Sequence, residues 1–259
     1  MSGKNSYLYV WSGFALFYSP SLVNTSHTHY AASLLHSFGN PIELEGANGD
    51  KLHMQSVFLP SNYHHKLKSD SPLLILQIDP DSPEYAPLRK LSETKPTDIS
   101  GKLESILERE MQTPLNSSNG ITLIRKILSY VGENDLEQKT PHSKIDYRIK
   151  NVIRYLKSLE DLPPKIPLSL LAKEASLSSD RFRHLFAEEM GLSIRRYLLW
   201  LRIRKAGSLL QKGFSLTDSA HHAGFTDSAH FSKTFKQNFG ITPSLVLASA
   251  NVKVKYFEE

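Results

Sequence analysis

The C-terminal third of the chain contains one helix-turn-helix pattern twice, and this repeat constrains the fold more than any other feature. The first copy runs Ala172-x3-Ser176-Leu177, then Phe182-x3-Phe186, then Gly191-Leu192-Ser193. The second runs Ala220-x3-Gly224-Phe225, then Phe231-x3-Phe235, then Gly240-Ile241-Thr242. The offset is 48 residues from Ala172 to Ala220 and 49 from Phe186 to Phe235. One such pattern is weak evidence. Two in register, on a basic background, point to a bipartite reader of duplex DNA.

Local chemistry supports two equivalent units. In the first, Leu168 to Ala175 forms the leading helix, Ser176-Leu177-Ser178 the turn, and Ser178 the N-cap of a helix from Ser179 to Met190. Phe182, Leu185 and Phe186 stand at i, i+3 and i+4 and make its buried stripe. Asp180, Arg181, Arg183 and His184 are left facing outward, and Gly191 suits the stop. In the second, Ser215 caps Leu216 to Ala223, Gly224 turns the chain, and Asp227 caps a helix from Ser228 to Phe239. Phe231 and Phe235 are expected inside, with Ser228, Ala229, Ser232 and Lys233 outside. One helix from Ile194 to Lys212 joins the copies. At about 1.5 Å per residue it spans roughly 30 Å, against about 34 Å between successive major-groove faces. Arg195, Arg196, Arg202, Arg204 and Lys205 on this spacer are candidate phosphate contacts, with a solvated face as the plainer reading for any single one.

Charge follows the same division. Residues 1–143 carry 12 Lys/Arg and 15 Asp/Glu, a balance of −3, whereas residues 144–259 carry 19 and 11, a balance of +8. Such asymmetry suits a polyanion-binding module attached to a near-neutral partner. The chain has 259 residues, enough for two cores, and no cysteine. Disulfides and thiolate metal sites are therefore excluded, and a reducing compartment is permitted. No apolar run approaches the roughly 20 residues that span a bilayer, and a cytoplasmic location with no membrane partner is expected.

With these motifs in view, residues 145–250 resemble the DNA-binding domain of AraC/XylS-type bacterial transcription regulators. The resemblance rests on Leu170 to Ala175, Arg181 to Phe186, Gly224 to Lys236 and Phe239 to Pro243. It implies that Asp180, Arg183 and His184 in the first recognition helix, and Ser228, Ala229, Ser232 and Lys233 in the second, face DNA bases. Arg195 and Arg204 serve as expected backbone contacts. Arg183 and Lys233 suit guanine; Asp180 can only accept from cytosine, and Ala229 can only meet a thymine methyl. The sequence departs from the family pattern at Ser176, where a glycine is commoner, and at Leu245-Val246, where an aromatic residue and an arginine are commoner. The family also implies recruitment of RNA polymerase by an activator; a homodimer is an open possibility that the sequence itself does not decide.

The N-terminal part, residues 1–140, reads differently. Tyr7 to Phe17, Ala31 to Leu35, Met54 to Leu59 and Leu73 to Ile78 are short β-type stretches separated by Gly/Asn/Pro/Ser turns. Ile99, Leu103, Ile106 and Leu107, then Ile124, Ile127, Leu128 and Val131, recur at helical spacing, with Asn116 to Gly120 as a break. They make a helical hairpin that either packs on the β part or forms a dimer surface. A polar linker is expected from Glu133 to Lys144, and residues 251–259 carry no assignment.

His27-Thr28-His29 and Pro60 to His65 are similar to the two motifs of cupin barrels. The acidic metal ligand of that pattern is missing, since Ala31, Ala32 and Ser33 occupy the expected place. No cofactor or metal is expected. His27, His29, His64 and His65 are candidate effector-lining residues, with a metal site or structural roles as alternatives. His221-His222 are neighbours on a helix and cannot easily chelate together. No catalytic motif is present.

The fold expected is α+β with two domains: a cupin-like β-barrel carrying a helical hairpin, then an all-α domain with two helix-turn-helix motifs on a long helix. The function expected is transcription regulation in response to a small-molecule effector. The alternatives are a metal-dependent cupin enzyme fused to a DNA-binding domain, and a non-specific DNA binder.

Overall fold

The computed structural model describes residues 5–83, 85, 88, 95–100, 103–110, 115–133, 145–247 and 251–257. The sheet-rich N-terminal part contains β1 (Ser6–Trp11), β2 (Phe14–Ser19), β3 (Leu22–Val23), β4 (His27–Thr28), β5 (Ala32–Ser37) and β6 (Ile42–Gly46). It continues through β7 (Lys51–Met54), β8 (Ser56–Leu59), β9 (His64–Ser69), β10 (Leu73–Ile78) and β11 (Thr97–Asp98). Two helices follow, α1 (Leu103–Glu110) and α2 (Ser117–Glu133). The helical part contains α3 (Tyr147–Ser158), α4 (Leu168–Glu174), α5 (Ser179–Met190), α6 (Ile194–Gln211), α7 (Leu216–His222), α8 (Ser228–Phe239) and α9 (Pro243–Leu247). A last strand, β12 (Val252–Tyr256), closes the order.

Among the described residues the strands form two separate ladders, and the sheet-rich part of the expectation holds without a closed barrel. One has the order β11-β8-β5-β10-β2-β1-β12; the other runs β3-β9-β6-β7, with β4 also on β9. β3, β4 and β11 are two residues long, too short to carry a continuous ladder from one sheet into the other. Leu35, Val57, Leu59, Leu73 and Ile75 of the larger sheet meet Ile42, Leu44 and Leu67 of the smaller one in a shared core. Period-2 alternation sends the opposite residues, Leu34, Phe58, Leu74 and Leu76, to the outer face of the large sheet. There they pack with Leu103 and Leu107 of α1 and with Ile124, Ile127, Leu128 and Val131 of α2. The apolar stripe of the hairpin is thus spent within its own domain, as the packing alternative expects.

Two local expectations change. Tyr7 to Phe17 is a hairpin, not one strand, because Gly13 turns the chain at φ 85°. Asn116 to Gly120 is not a break: α2 starts at Ser117, and the Asn116 side chain accepts a hydrogen bond from the Asn119 amide at 3.0 Å. Of the linker expected from Glu133 to Lys144, Glu133 is the last residue of α2 and residues 134–144 lie outside the described residues.

The helical part has two cores, both using α6. Ile194 and Tyr197 join α3, α4 and α5; Ile203 and Ala206 join α7, α8 and α9. The unassigned tail becomes β12, which pairs in parallel with β1, from Ser6 opposite Val252 to Val10 opposite Tyr256. Phe257 then stacks on Trp11, centroids 4.9 Å apart. Among the described residues, no helix is long and apolar enough to cross a membrane.

Candidate nucleic-acid interface and interdomain cavity

Each recognition helix begins and ends on local chemistry. The Ser178 side chain accepts from the Arg181 amide at the start of α5, and Gly191 ends it in the left-handed region at φ 70°. The Asp227 side chain accepts from the His230 amide at the start of α8, and Gly240 ends it at φ 71°. These contacts satisfy amides that a helix start leaves unpaired. Phe182, Leu185, Phe186 and Met190 are buried in α5; Phe231, Thr234, Phe235 and Asn238 are buried in α8.

The outward faces follow. Asp180, Arg183 and His184 are exposed on α5, and Asp180 pairs with Arg183 at 3.3 Å one turn along. On α8, Ala229 and Lys233 are exposed, while Ser228 and Ser232 are half-buried. Arg195, at the start of α6, is exposed. Arg196 is also exposed, but its guanidinium donates to the Asn62 side-chain carbonyl at 2.6 Å.

Arg204 corrects a sequence expectation. It faces the N-terminal domain, where its guanidinium donates to the carbonyls of Phe14 (3.3 Å) and Trp11 and lies 3.4 Å from the Asp79 carboxylate. A side chain so engaged has no geometry for a DNA phosphate. Burial pushes the Asp79 carboxyl up, with Arg204 pulling the other way. Arg202 is buried and donates to the carbonyls of Pro163 and Pro164, both at 3.0 Å, so it too is removed from the phosphate set. His221 and His222 are exposed, and His222 Nδ1 lies 3.0 Å from the Asp161 carboxylate.

Between the domains lies a cavity, partly open to solvent; the empty space within it and its mouth is about 930 Å³. Its apolar wall includes Leu8, Val10 and Phe17 from the sheets and Ile203, Phe235 and Phe239 from the helices. Tyr256 of β12 closes part of it and donates its hydroxyl to the Gly207 carbonyl at 2.9 Å.

His29 and His65 stand in the cavity wall, and His27 is buried behind them. Carbonyls can only accept, so His27 Nδ1 donates to Thr25 (2.9 Å) and His65 Nδ1 donates to Tyr63 (3.1 Å). Both Nε2 atoms therefore carry lone pairs. His29 Nε2 supplies a proton to His27 Nε2 at 2.7 Å, and its Nδ1 accepts from the Ser33 hydroxyl at 2.7 Å. His65 Nε2 is buried with no hydrogen-bond partner. Burial, reinforced by the neighbouring imidazoles, lowers His27 to about 3 and His29 well below its usual range; burial lowers His65 to about 4. All three are neutral at physiological pH. Their ligand nitrogens lie within 4.8 Å of one another, so a first-row divalent cation is chemically compatible with the trio. His64 does not join them. Alternation along β9 turns it outward beside Ser26, 3.4 Å away.

This cluster touches the second recognition helix directly. Thr25 donates to the Gly240 carbonyl from its amide (3.1 Å) and its hydroxyl (3.0 Å), and the Tyr30 amide donates to the Asn238 side chain at 2.7 Å. A Cβ at residue 240 would overlap the Thr25 carbonyl and His27 Nδ1. The first unit is held by Asn62, which donates to the Gly191 carbonyl at 3.3 Å. Lys157 of α3 is ion-paired with Asp81.

A model of a helix-turn-helix domain matches residues 171–249. The chain is 30% identical over 137 residues to the HTH-type transcriptional activator RhaS of Escherichia coli O157:H7, covering 52% of this chain and 48% of the relative. It is 26% identical over 138 residues to the Msm operon regulatory protein of Streptococcus mutans, covering 51% and 49%. The chain therefore spans about half the length of the curated relatives it matches. In fold it is similar to apo ToxT from Vibrio cholerae, with a TM-score of 0.63 at 15% identity over 91% of this chain and 97% of that one. ToxT solved with an unsaturated fatty acid gives 0.61 at 16%, over 95% and 97%. The chain thus joins a sheet-rich N-terminal domain to a helical domain that matches a helix-turn-helix model and is similar in sequence to transcription regulators.

Proposed function

We propose that this chain is a sequence-specific DNA-binding transcription regulator whose DNA affinity responds to a small molecule held between its domains. Residues 145–250 act as the DNA-binding domain and residues 1–140 as the effector and dimerisation domain. Arg183 and Lys233 read bases, with Asp180, His184, Ser228, Ala229 and Ser232 beside them. Arg195 contacts a phosphate. His29 and His65 line the effector chamber and His27 supports them. The RhaS relative, a transcriptional activator, supports an activator here, the resemblance of residues 145–250 to AraC/XylS-type regulators carries the reading that it engages RNA polymerase in the cytoplasm, and the fatty-acid complex of ToxT supports an apolar effector.

The observation that carries this reading is the double use of α8. Phe235 and Phe239 on its inner side line the cavity, while Ala229 and Lys233 on its outer side are exposed. An occupant that shifts the inner side tilts the outer one. Regulation requires such differential contact with two states. Duplexes selected from genomic DNA by the full chain test the reading against scrambled duplexes of equal length. Tighter binding to the selected duplexes, altered by an apolar extract, is expected. Equal affinities with one common salt slope would replace it with non-specific binding.

The trio His27, His29 and His65 favours a second reading, a metal-dependent activity joined to a DNA-binding domain. Stoichiometric zinc or iron that is lost in His27→Ala would support it.

A further inference from the structure

Three buried imidazoles meet where the N-terminal domain grips the second recognition helix. His27 and His65 are register partners on β4 and β9, so their side chains leave the ladder on one side, and His29 follows just past β4. The three ring centres lie 4.3–5.0 Å apart. Imidazoles bound to one tetrahedral zinc at about 2.0–2.1 Å have ring centres about 5 Å apart. The outer nitrogens of two rings are already held, His27 Nδ1 by the Thr25 carbonyl and His65 Nδ1 by the Tyr63 carbonyl. Such outer hydrogen bonds orient a ligating imidazole and fix its tautomer. His65 Nε2 is buried beside the other two rings with no hydrogen-bond partner, and an orphaned acceptor is costly. His29 Nδ1 faces the Ser33 hydroxyl, which can accept as well as donate. Moving the His29 proton from Nε2 to Nδ1 therefore frees the third Nε2 lone pair, with no net gain or loss of protons. No acidic ligand is needed, because three neutral imidazoles complete the protein ligands of a zinc that keeps one open position.

We propose that His27, His29 and His65 bind one first-row divalent cation, with zinc as the reference ion, and that this binding shifts α8 and so sets DNA affinity. His27 Nε2 and His29 Nε2 now stand 2.7 Å apart. Two nitrogens on one tetrahedral ion stand about 3.3 Å apart, so the pair opens by roughly 0.6 Å. The end of α8 lies against both rings. His27 Nδ1 is 2.8 Å from the place a Cβ would take on Gly240, and the His29 ring is 6.3 Å from that of Phe239. Thr25, whose carbonyl holds His27, donates twice to the Gly240 carbonyl. A close-packed contact transmits such a shift instead of absorbing it, and the same helix exposes Ala229 and Lys233. The inference rests on the DNA-binding reading, is independent of what fills the cavity, and gives the metal a signalling role in place of a metal-dependent activity.

The test titrates Zn²⁺ alone into the full-length chain, first dialysed free of metal. One zinc per chain is expected, and the unfolding midpoint should rise by at least about 5 °C once zinc exceeds its Kd about 100-fold. Affinity for a genomic duplex selected by the chain should change by at least about fivefold with zinc, and the duplex should change zinc affinity by the same factor. His65→Phe should abolish zinc binding and the DNA effect together. His64→Ala alters an exposed neighbour and should abolish neither. Thr25→Val removes the hydroxyl that holds Gly240; it should keep zinc and weaken the DNA effect. Cobalt(II) in place of zinc needs no variant: the strong visible absorption of a four-coordinate ion is expected, and the pale spectrum of a six-coordinate one overturns the site. Absence of stoichiometric zinc in the unmodified chain also overturns it. Zinc that binds without changing duplex affinity overturns the signalling role. Equal affinity for selected and scrambled duplexes overturns the DNA-binding reading and, with it, the signalling role, while the zinc stoichiometry still judges the site.

Discussion

Replacing Arg204 with alanine separates two roles that make opposite predictions. If Arg204 met a DNA phosphate, its loss would weaken all duplexes alike and lower the salt slope by about one unit. The structure instead gives it three partners in the N-terminal domain: the Phe14 carbonyl, the Trp11 carbonyl and Asp79. The Arg204 side chain is 20% exposed and that of Asp79 7%. Breaking a buried ion pair costs roughly 3–5 kcal/mol, mainly through the charge left behind. Hydrogen bonds to charged groups add about 1.5–3 kcal/mol each, but the three losses share one group and do not sum. Water can also reach the vacated space from the cavity. The expected net cost is therefore about 3 kcal/mol, read by urea unfolding. The cost should shrink as pH falls. Asp79 already has a raised pKa, and removing Arg204 raises it further. A raised folded-state pKa means stability present at low pH and lost as pH rises through it. The reasoning is refuted by an Arg204→Ala protein of unchanged stability whose salt slope drops by one unit.

Other residues give equally specific outcomes. Arg183→Ala should weaken binding to the selected duplex by about 1–3 kcal/mol and relax preference at one base pair; unchanged affinity in a competition assay would remove Arg183 from the reading face. Gly191 and Gly240 share nearly the same φ, 70° and 71°, but only a Cβ at 240 meets other atoms. Gly191→Ala should cost about 1–2 kcal/mol from backbone strain alone, and Gly240→Ala measurably more; equal costs in thermal unfolding would deny the close approach of Thr25 and His27. The depressed histidines predict an acid limb. Because their folded-state values lie below 6.5, their contribution is present above pH 6.5 and is lost as pH falls, through about 4 for His65 and about 3 for His27, with His29 displaced in the same direction. The slope should reach up to about 1.4 kcal/mol per pH unit for each histidine, and His65→Phe should make it shallower.

The recognition helices were legible in the sequence almost to the residue because their boundaries are set locally. Ser178 and Asp227 cap, Gly191 and Gly240 stop, and the phenylalanine spacing selects the buried side. Ser176 takes the turn at φ 53° where the second copy has Gly224 at φ 83°, so the departure from glycine leaves the turn intact. Arg204 was misread because an arginine on an amphipathic spacer looks alike whether it faces a phosphate or another domain. The same limit hid the cavity, whose walls include residues of β1, β2, β9, β10, α6, α8 and β12, elements separated by most of the chain. His64 and His65 were grouped together although strand alternation separates them, and that signal was available in the period-2 pattern of β9. The tail carried the same kind of signal: Val252, Val254 and Tyr256 alternate with Lys253 and Lys255, which is the pattern of a half-buried strand. Its parallel partner, β1, was not readable, because pairing at that separation is decided by the packing of both domains.

Genome-wide capture of the DNA bound by the full-length chain tests the central claim most directly. α5 and α8 share a phenylalanine scaffold and expose different side chains: Asp180, Arg183 and His184 on one, Ala229 and Lys233 on the other. The account predicts an enriched motif of two unlike half-sites, about 10 base pairs apart centre to centre, with a defined direction and no palindrome. Capture without any enriched motif, or a single half-site indifferent to its flank, would contradict it.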